Sequence, residues 1–259
     1  MARRKLDQKR VVLTGASSGI GFELAKQLLE KGCRLVATAR RQERLKELQA
    51  FTVFSNQLEM VSGDIVSAKL RQSLIDKAIT SFGGVDILIN NAGVGGLGPF
   101  EKSTEESLRK IMEVNFFAPV ELTRIAIPIL RKGVSPIIVN ISSVLGHRAV
   151  PEKSEYCASK FAIHGFSDSL RAELKGEIDL LLVSPSTTQG EFFEHAVENH
   201  SDRDWTPKKA MSPATVAKKS IQAIVVGKHE IVLTIGGKSL VFLDNIAPTL
   251  TNKLVQRFG

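Results

Sequence analysis

Two side chains with acid–base chemistry lie four residues apart in the second half of the chain. Tyr156 and Lys160 stand in EYCASKFAIHGF, and their spacing predicts that both lie on one face of a helix. A free phenol titrates at about pH 10, but an adjacent ammonium favours the phenolate and lowers that value. Tyr156 could then give or take a proton near neutrality. A helix-surface pair with no chemical task is the alternative, and the pattern alone leaves both open.

A cluster of small residues near the start of the chain could hold an anion. In VVLTGASSGIGFELAKQLL, residues 11–29, a β-branched run precedes the small residues, and apolar residues then follow at helical spacing. This order predicts a strand, a tight turn and a helix. Gly15, Gly19 and Gly21 lack a Cβ atom, so an anion could approach the backbone where a helix N-terminus presents free N–H groups. We interpret the cluster as a pyrophosphate site, with a purely structural turn as the alternative.

The residues at the end of the next apolar run, RLVATA, indicate which dinucleotide would bind. In dinucleotide-binding folds an acidic side chain here accepts hydrogen bonds from the ribose of NAD, whereas a basic one pairs with the 2′-phosphate of NADP. Ala39 takes the acidic position, and Arg40 and Arg41 follow it. Guanidinium groups match phosphate geometry, so we predict NADP(H) in preference to NAD(H). A solvated basic helix start is the alternative.

Apolar runs alternate with helical patterns along most of the chain. The runs are continuous rather than alternating, which indicates strands buried on both faces. After RLVATA they are LEMVSGDI, VDILINNAG, PIIVNISS, IDLLLVSPS and EIVLTIG. Helices are predicted at about 41–50, 67–82, 104–131, 155–175 and 213–226. We therefore expect an α/β fold, a doubly wound parallel sheet flanked by helices, in a single domain over residues 1–259.

Ligands of such sheets bind at the carboxyl ends of the strands. Small or polar residues follow the apolar runs there: Gly15 to Gly21, Ala39, Arg40, Asp64, Asn90 to Gly93, Ser142, Ser143, Pro185 and Ser186. The polar stretch 187–212 has no clean period and is interpreted as a mobile flap over that edge. Its aromatic residues Phe192, Phe193 and Trp205 would line an apolar substrate pocket or pin the loop to the body.

Composition and charge argue against several classes of protein. The net charge is +8, but the basic residues are spread along the chain and do not interleave with aromatic ones, so nucleic-acid binding is not expected. Cys33 and Cys157 are too few for a disulfide framework and are expected as packed thiols. The five histidines show no metal-ligand spacing, so no metal is expected. Without an apolar signal segment or the ~18 apolar residues of a membrane span, a cytoplasmic protein is expected.

The C-terminal tail, at about residues 239–259, carries an apolar stripe. Near one helical face lie Leu243, Ile246, Ala247, Leu250, Leu254 and Phe258, with Lys238, Lys253 and Arg257 around them. Pro248 could open a second helix. The stripe could lie peripherally on a membrane surface or cover a lipid-like substrate. Packing on its own body or on a sister subunit is the commoner use of such a stripe, and these alternatives stay open.

Several motifs together resemble the short-chain dehydrogenase/reductase family. They are TGASSGIG, NNAG at 90–93, Asn115, Ser143 thirteen residues before Tyr156, and YCASK. The match covers positions 8–235 in order and spacing. The resemblance implies a Rossmann-type fold and an enzyme that transfers a hydride between nicotinamide and a carbonyl or secondary alcohol substrate. With the basic residues Arg40 and Arg41, the expected dinucleotide is NADP(H). The resemblance also implies a homodimer or homotetramer, paired through the helices at 104–131 and 157–175.

The resemblance implies a role for each matching residue. Tyr156 would be the general acid or base toward the substrate oxygen, and Lys160 would bind the nicotinamide ribose and lower the pKa of the phenol. Ser143 would hydrogen-bond the reacting oxygen, and Asn115 would hold a water in a proton relay. Besides Tyr156 and Lys160, the residues predicted to bind the cofactor are Gly15, Ser17, Ser18, Gly19, Ile20, Gly21, Arg40, Arg41, Asp64, Ile65, Asn91, Ala92, Gly93, Pro185, Ser186, Thr187 and Thr188.

The turn after the sixth apolar run departs from the family pattern, PGxVxT. The chain has PSTTQG, with Ser186 for the glycine and Gly190 where the carboxamide-gripping threonine falls, so Thr187 or Thr188 would make that contact. At least one of Asn90 and Asn91 is expected to satisfy local protein groups rather than a ligand. The alternative function is a dinucleotide-binding regulatory or scaffold protein without turnover.

Overall fold

The strands of the protein form one parallel sheet. The structure, a computed structural model, describes residues 4–192, 196–202 and 210–258. Its strands are β1 Arg10–Thr14, β2 Arg34–Ala39, β3 Leu58–Ser62, β4 Ile87–Asn90, β5 Ile137–Ile141, β6 Asp179–Ser184 and β7 Glu230–Val232. They pair in the order β3-β2-β1-β4-β5-β6-β7, and every pair is parallel. The strand order reverses between β1 and β4, which confirms the predicted doubly wound α/β fold.

Helices cover both faces of this sheet. They are α1 Gly19–Glu30, α2 Gln42–Lys46, α3 Ala68–Phe82, α4 Glu105–Met112, α5 Ala118–Leu130, α6 Ser154–Glu173, α7 Pro213–Val226, α8 Ile235–Ile246 and α9 Pro248–Phe258. α1 and α7 contribute to the core on one face, whereas α3, α5 and α6 contribute to the core on the other. Each predicted helical stretch contains a helix. The stretch at 41–50 is completed by a 3-10 helix, Glu47–Phe51.

The central strands are continuously apolar because the helices remove both faces from water. The edge strands β3 and β7 are partly exposed, so burial on both faces is corrected for the runs LEMVSGDI and EIVLTIG. Every residue of β4 and of β5 is buried. Within β1, Val12 belongs to the core under α3 and α5, and Leu13 belongs to the core under α1 and α7. Successive side chains of a strand point to opposite faces, so both must be apolar. Cys33 and Cys157 are buried free thiols, as predicted.

The predicted helix at 104–131 changes its winding in the middle. A π-helical segment, Glu113–Phe117, joins α4 to α5. Such a segment inserts an extra residue into the helix and is frequent at functional sites. Asn115 lies in it and is buried, with its side chain hydrogen-bonded to the backbone of Val94 in the loop after β4.

The last apolar run, EIVLTIG, is a strand only in its first half. β7 ends at Val232, and Thr234 caps α8 by accepting a hydrogen bond from the Gly237 N–H at 3.0 Å. A strand over the whole run is therefore wrong, because a threonine at the N-cap starts a helix. Pro248 opens α9, as predicted. Among the described residues, no helix is long and apolar enough to cross a membrane.

Candidate active site

A cavity of about 740 Å³ lies along the carboxyl ends of the strands. All of the residues predicted to bind the cofactor line it, from Gly15 to Thr188, and Ser143 lines it as well. Asn115 is the exception among the predicted site residues, since it lies behind the cavity wall. A cavity at this edge is where doubly wound sheets bind their ligands.

The glycine-rich turn after β1 brings backbone rather than side chains to the cavity. Gly15 has a φ of +70°, which residues with a side chain rarely adopt. A Cβ atom on Gly21 would lie 2.0 Å from the Gly15 carbonyl oxygen, so only glycine fits there. Within the described residues, the Ser18 side chain does not cap the first turn of α1. The N–H groups of that turn therefore keep their capacity to bind an anion.

The two asparagines at the end of β4 hold the site together. The Asn91 side chain donates to the carbonyl oxygens of Thr14 and Gly15 at 3.0 and 3.1 Å, which ties the glycine turn to β4. Asn90 is buried and donates to Asn140 of β5 at 2.9 Å. The expectation that at least one of them satisfies other protein groups is confirmed.

Two guanidinium groups lie on the cavity wall at the end of β2. Ala39 is buried and offers no side-chain acceptor, whereas Arg40 and Arg41 are exposed. Arg41 donates to Glu191 of the flap at 3.0 Å. Both side chains of that pair are more than two-fifths exposed, so the pair contributes at most about 1 kcal/mol and can be exchanged for a stronger acceptor.

Asp64, which follows β3, is held ionised on the same wall. Its carboxylate accepts from the Val66 N–H at 3.0 Å and from Lys110 Nζ at 3.3 Å. Burial acts to raise the pKa of Asp64, but these hydrogen bonds and the charges of Lys110 and Arg40 lower it overall. The carboxylate therefore remains an acceptor at neutral pH.

Tyr156 and Lys160 lie on one face of α6, and both are buried. Lys160 Nζ donates to the Ile141 carbonyl oxygen at 3.1 Å and lies 5.6 Å from the centre of the Tyr156 ring. Burial raises the pKa of Tyr156 above its ordinary value, and a hydrogen bond with Ser143 offsets this only in part. Burial also lowers the pKa of Lys160 to about 8. The expected lowering of the phenol pKa is thus corrected, because burial outweighs the hydrogen bond with Ser143 and the phenol stays protonated at neutral pH.

Ser143 places a second hydroxyl beside the phenol. It follows β5 in an extended conformation and begins a 3-10 helix, Val144–Gly146. Its Oγ accepts from the Leu145 N–H at 3.1 Å, so its own proton can be directed at another acceptor. Ser143 and Tyr156 therefore form a pair of neighbouring hydroxyl donors in the cavity.

Asn115 fixes the loop after β4 against α6. Its Oδ1 accepts from the Val94 N–H at 2.8 Å, and its Nδ2 donates to the Val94 carbonyl oxygen and to Ser159 Oγ, both at 2.9 Å. These bonds occupy the side-chain amide. Asn115 therefore positions the segment next to Lys160 from behind the cavity.

The turn after β6 uses two of its three hydroxyls within the protein. Ser186 Oγ and Thr234 Oγ1 are 2.5 Å apart, and Thr188 Oγ1 donates to the Ser186 carbonyl oxygen at 3.0 Å. Thr187 is exposed on the cavity wall. Of the two threonines named as alternatives, the geometry favours Thr187 as the one whose hydroxyl can meet a ligand.

The flap and α8 border the cavity beyond Tyr156. Phe192 packs edge-on against Tyr156, with ring centres 5.6 Å apart, whereas Phe193 and Trp205 lie outside the described residues. A bridge between Thr188 and Met211 joins the two ends of the flap. Leu240 of α8 also lines the cavity, although no sequence motif marked it. In the sequence, only the position of Leu240 just before the apolar stripe of the C-terminal tail pointed to it.

Lys153 is a second cavity residue that no motif marked. It stands just before α6, three residues ahead of Tyr156, and it is buried. Burial lowers the pKa of Lys153 to about 8. A lysine at the start of a helix is usually solvated, so only its spacing from Tyr156 could have drawn attention to it.

Comparisons with known proteins show what the chain is similar to. The family model described as short chain dehydrogenase matches residues 9–201, which include all four predicted catalytic residues. The chain is 32% identical to an uncharacterized oxidoreductase, YxnA, of Bacillus subtilis, over 98% of this chain and 73% of that protein. It is 36% identical to dehydrogenase/reductase SDR family member 7B of Xenopus tropicalis, over 93% of this chain and 82% of that protein.

A solved structure shows the same fold. The short chain dehydrogenase/reductase of Burkholderia phymatum in complex with NAD superposes with a TM-score of 0.84 at 25% identity. The superposition covers 95% of this chain and 96% of that one. The likeness therefore includes the strands that carry the cavity.

Proposed function

The chain belongs to the short-chain dehydrogenase/reductase family of oxidoreductases, and from this premise we propose that it transfers a hydride between NADP(H) and a carbonyl or secondary alcohol. The observation that carries the proposal is the meeting of the Tyr156 and Ser143 hydroxyls in one cavity with Lys160, the glycine turn and Arg40. The dinucleotide, when bound, supplies the hydride. The side chains of this protein would bind, orient and donate protons.

The residues present are compatible with a dinucleotide that carries a 2′-phosphate. A Cβ atom on Gly21 would clash with the Gly15 carbonyl oxygen, so glycine there lets the turn pack against α1, and the first turn of α1 offers N–H donors to a pyrophosphate. Arg40 and Arg41 would pair with the 2′-phosphate. Ala39 cannot accept from the ribose hydroxyls of NAD, so NADP(H) should bind more tightly.

Tyr156 is proposed as the proton donor in the reductive direction. A carbonyl oxygen gains negative charge as hydride arrives at its carbon, and it must take up a proton to become an alcohol. Because burial keeps the phenol protonated, Tyr156 carries that proton at neutral pH. Ser143 would donate a hydrogen bond to the same oxygen and stabilise its developing charge.

Lys160 would hold the nicotinamide ribose and support the phenol after it has lost its proton. Its ammonium lies 5.6 Å from the ring centre, close enough to stabilise a phenolate electrostatically. Since its pKa is lowered to about 8, it can also exchange protons near neutrality.

The substrate side of the cavity favours apolar carbonyl compounds. Leu145, Val150, Phe192 and Leu240 line it. Burial of apolar substrate surface against such side chains is favourable by about 25 cal/mol per Å². We therefore propose ketones or aldehydes with apolar, lipid-like substituents rather than sugars.

A homodimer or homotetramer is proposed through the helices on the π-segment side. Phe117 is exposed, and Phe116 beside it packs edge-on against Phe166 of α6, with ring centres 6.3 Å apart. The two helices thus present a shared aromatic surface that a second copy would remove from water. Light scattering of the purified protein would give the mass, and a monomer would contradict this assignment.

A substrate panel tests the proposal directly. NADPH consumption by the purified protein is measured against ketosteroids, long-chain acyl ketones, quinones and sugars, and the alcohol product is identified by mass spectrometry. We expect turnover of at least one apolar ketone. Tight NADPH binding with no turnover of any compound would favour the alternative, a dinucleotide-binding scaffold.

A further inference from the structure

Three potential metal ligands meet in a depression that is separate from the active-site cavity. His147 follows the 3-10 helix after β5, His164 lies on α6 and Glu230 opens β7. One ligating atom of each lies within 4.8 Å of the other two. The residues are distant along the chain, so no spacing motif reveals them, and the expectation drawn from histidine spacing did not take this cluster into account.

We propose that His147, His164 and Glu230 form a binding site for a divalent transition-metal ion of the Zn²⁺ type. Two imidazoles and one carboxylate are an established donor set for Zn²⁺, with water in the remaining position. With bonds of about 2.0–2.2 Å, tetrahedral ligand atoms lie roughly 3.3–3.5 Å apart. His147 Nε2 and Glu230 Oε1 are 3.1 Å apart, so two of the three ligands are already close to that spacing.

Neighbouring groups set the ligands in a form that suits a metal. His164 Nδ1 lies 3.2 Å from the Gly146 carbonyl oxygen and would donate its proton there, which leaves a lone pair on Nε2. Ligands must lose their protons before they bind a metal. His164 Nε2 is set in that form, whereas His147 Nε2 would release the proton that it shares with Glu230 when the ion binds.

Other charged groups border the cluster. Asp168 Oδ2 lies 3.4 Å from His164 Nε2 and would offer a fourth ligand or an acceptor for metal-bound water. Arg171 pairs with Asp168 at 2.6 Å and offsets part of its charge. Two carboxylates against one guanidinium leave the depression net negative, which favours a divalent cation.

A simpler interpretation of the same contacts is an ion pair beside an edge-on ring contact. His147 pairs with Glu230 and contacts Ser184 Oγ at 2.9 Å, and the His164 ring lies edge-on to it with centres 4.4 Å apart. The two interpretations differ in what they predict for added metal. A metal would also join the segment that follows Ser143 to α6 and β7, so it should stabilise the fold by mass action.

Titration with Zn²⁺ alone distinguishes a metal site from a simple ion pair, and it requires no enzymatic turnover. Metal-free protein is titrated in competition with a fluorescent zinc chelator, and thermal unfolding is followed with and without Zn²⁺. We expect one equivalent to bind, about tenfold or more weaker binding in Glu230→Gln and His164→Asn, and a rise in Tm only where binding is retained. His229→Asn is the matched control, since it changes an exposed histidine next to Glu230 and should alter neither result.

The proposed site is wrong if the parent protein and Glu230→Gln bind Zn²⁺ with equal affinity. It is also wrong if the parent protein shows no saturable binding of one equivalent. Glu230 is exposed and opens an edge strand, so the Gln variant should fold even if a histidine variant does not. A Co²⁺ spectrum with ligand-field bands in the parent, lost in Glu230→Gln, would confirm that the same residues coordinate the ion.

Discussion

The two ends of the active-site cavity are built in different ways. The cofactor end, from the glycine turn to the Asp64 carboxylate, follows β1, β2 and β3 directly and is tied to β4 by the Asn91 side chain. The substrate end, formed by Phe192 of the flap and Leu240 of α8, is attached mainly through side chains. Its contacts include the Phe192–Tyr156 ring pair, the half-exposed Arg41–Glu191 pair, the Ser186–Thr234 hydrogen bond and the Arg148–Asp244 ion pair of α8. The first end is preorganised by backbone geometry, whereas the second depends on contacts between side chains of distant segments.

Tyr156 lies where the two ends meet, and its phenolic oxygen should matter to the chemistry but not to the cofactor end. Tyr156→Phe should lower the reduction rate of the best substrate by a factor of ~10² or more, the range expected for losing a general acid. NADPH affinity and folding should survive. Ser143→Ala is the companion variant, for which we expect a lower reduction rate and a nearly unchanged NADPH affinity. If Tyr156→Phe works at the parent rate, Tyr156 is not the acid and the scaffold alternative gains support.

Arg40 tests the cofactor end by itself. Arg40→Ala removes a charged hydrogen-bond donor from the proposed 2′-phosphate, so NADPH binding should weaken by about 1.5–3 kcal/mol while NADH binding barely changes. Protein fluorescence titrations with both dinucleotides measure this. Arg41→Ala is the matched control and should lose less, since Glu191 competes for that guanidinium. Equal affinity of the parent for NADPH and NADH would contradict the preference.

The difference between the two ends also explains how far the sequence could predict the site. The cofactor end was predictable because its residues follow strands and its glycines are required by local geometry, as at Gly21. Lys153 and Leu240 were not, because burial and α8 packing depend on contacts between distant segments. The direction of the Tyr156 pKa shift was wrong for the same reason, since the spacing to Lys160 reveals a neighbour but not the loss of water.

Burial of the Lys160 ammonium should make the free energy of unfolding depend on pH. In the unfolded chain its ammonium titrates near 10.5, whereas in the folded protein burial lowers the pKa to about 8. Below the lower value both states hold the proton, and the folded state bears the cost of burying it. Between the two values the unfolded chain binds the extra proton, so the free energy of unfolding rises with pH.

Lys160→Met should therefore abolish reduction yet stabilise the fold near pH 7 by on the order of 2 kcal/mol, with the advantage shrinking toward pH 10. Urea unfolding of both proteins at the two pH values measures the difference. A conservative Lys160→Arg variant keeps the charge and should not share the gain. Equal free energies of unfolding for Lys160→Met and the parent protein at neutral pH would mean that the ammonium is not desolvated.

Phe192 tests the substrate end. Phe192→Ala removes the ring that packs on Tyr156 and should raise KM for an apolar ketone about tenfold, within the 1–3 kcal/mol that a hydrophobic pocket contact contributes. The NADPH Kd should stay within a factor of about two, because that end is held independently. A parallel loss of NADPH affinity would show that the two ends are coupled through the flap.

The smallest effect is expected at the C-terminal helices, which continue from the substrate end. Leu250 and Leu254 of α9 are 51% and 39% exposed, so each has surface left for a membrane, a lipid-like substrate or a sister subunit to cover. The double variant Leu250→Asp, Leu254→Asp should no longer sediment with anionic liposomes, because interfacial binding depends on buried apolar area. Its oligomeric mass and its NADPH Kd should stay unchanged. Gln256→Glu, which adds charge at another exposed position of α9, controls for repulsion alone. If light scattering shows that the double variant dissociates while liposome binding is unchanged, the apolar stripe belongs to a subunit interface. The substrate end of the cavity would then depend on the assembly of subunits.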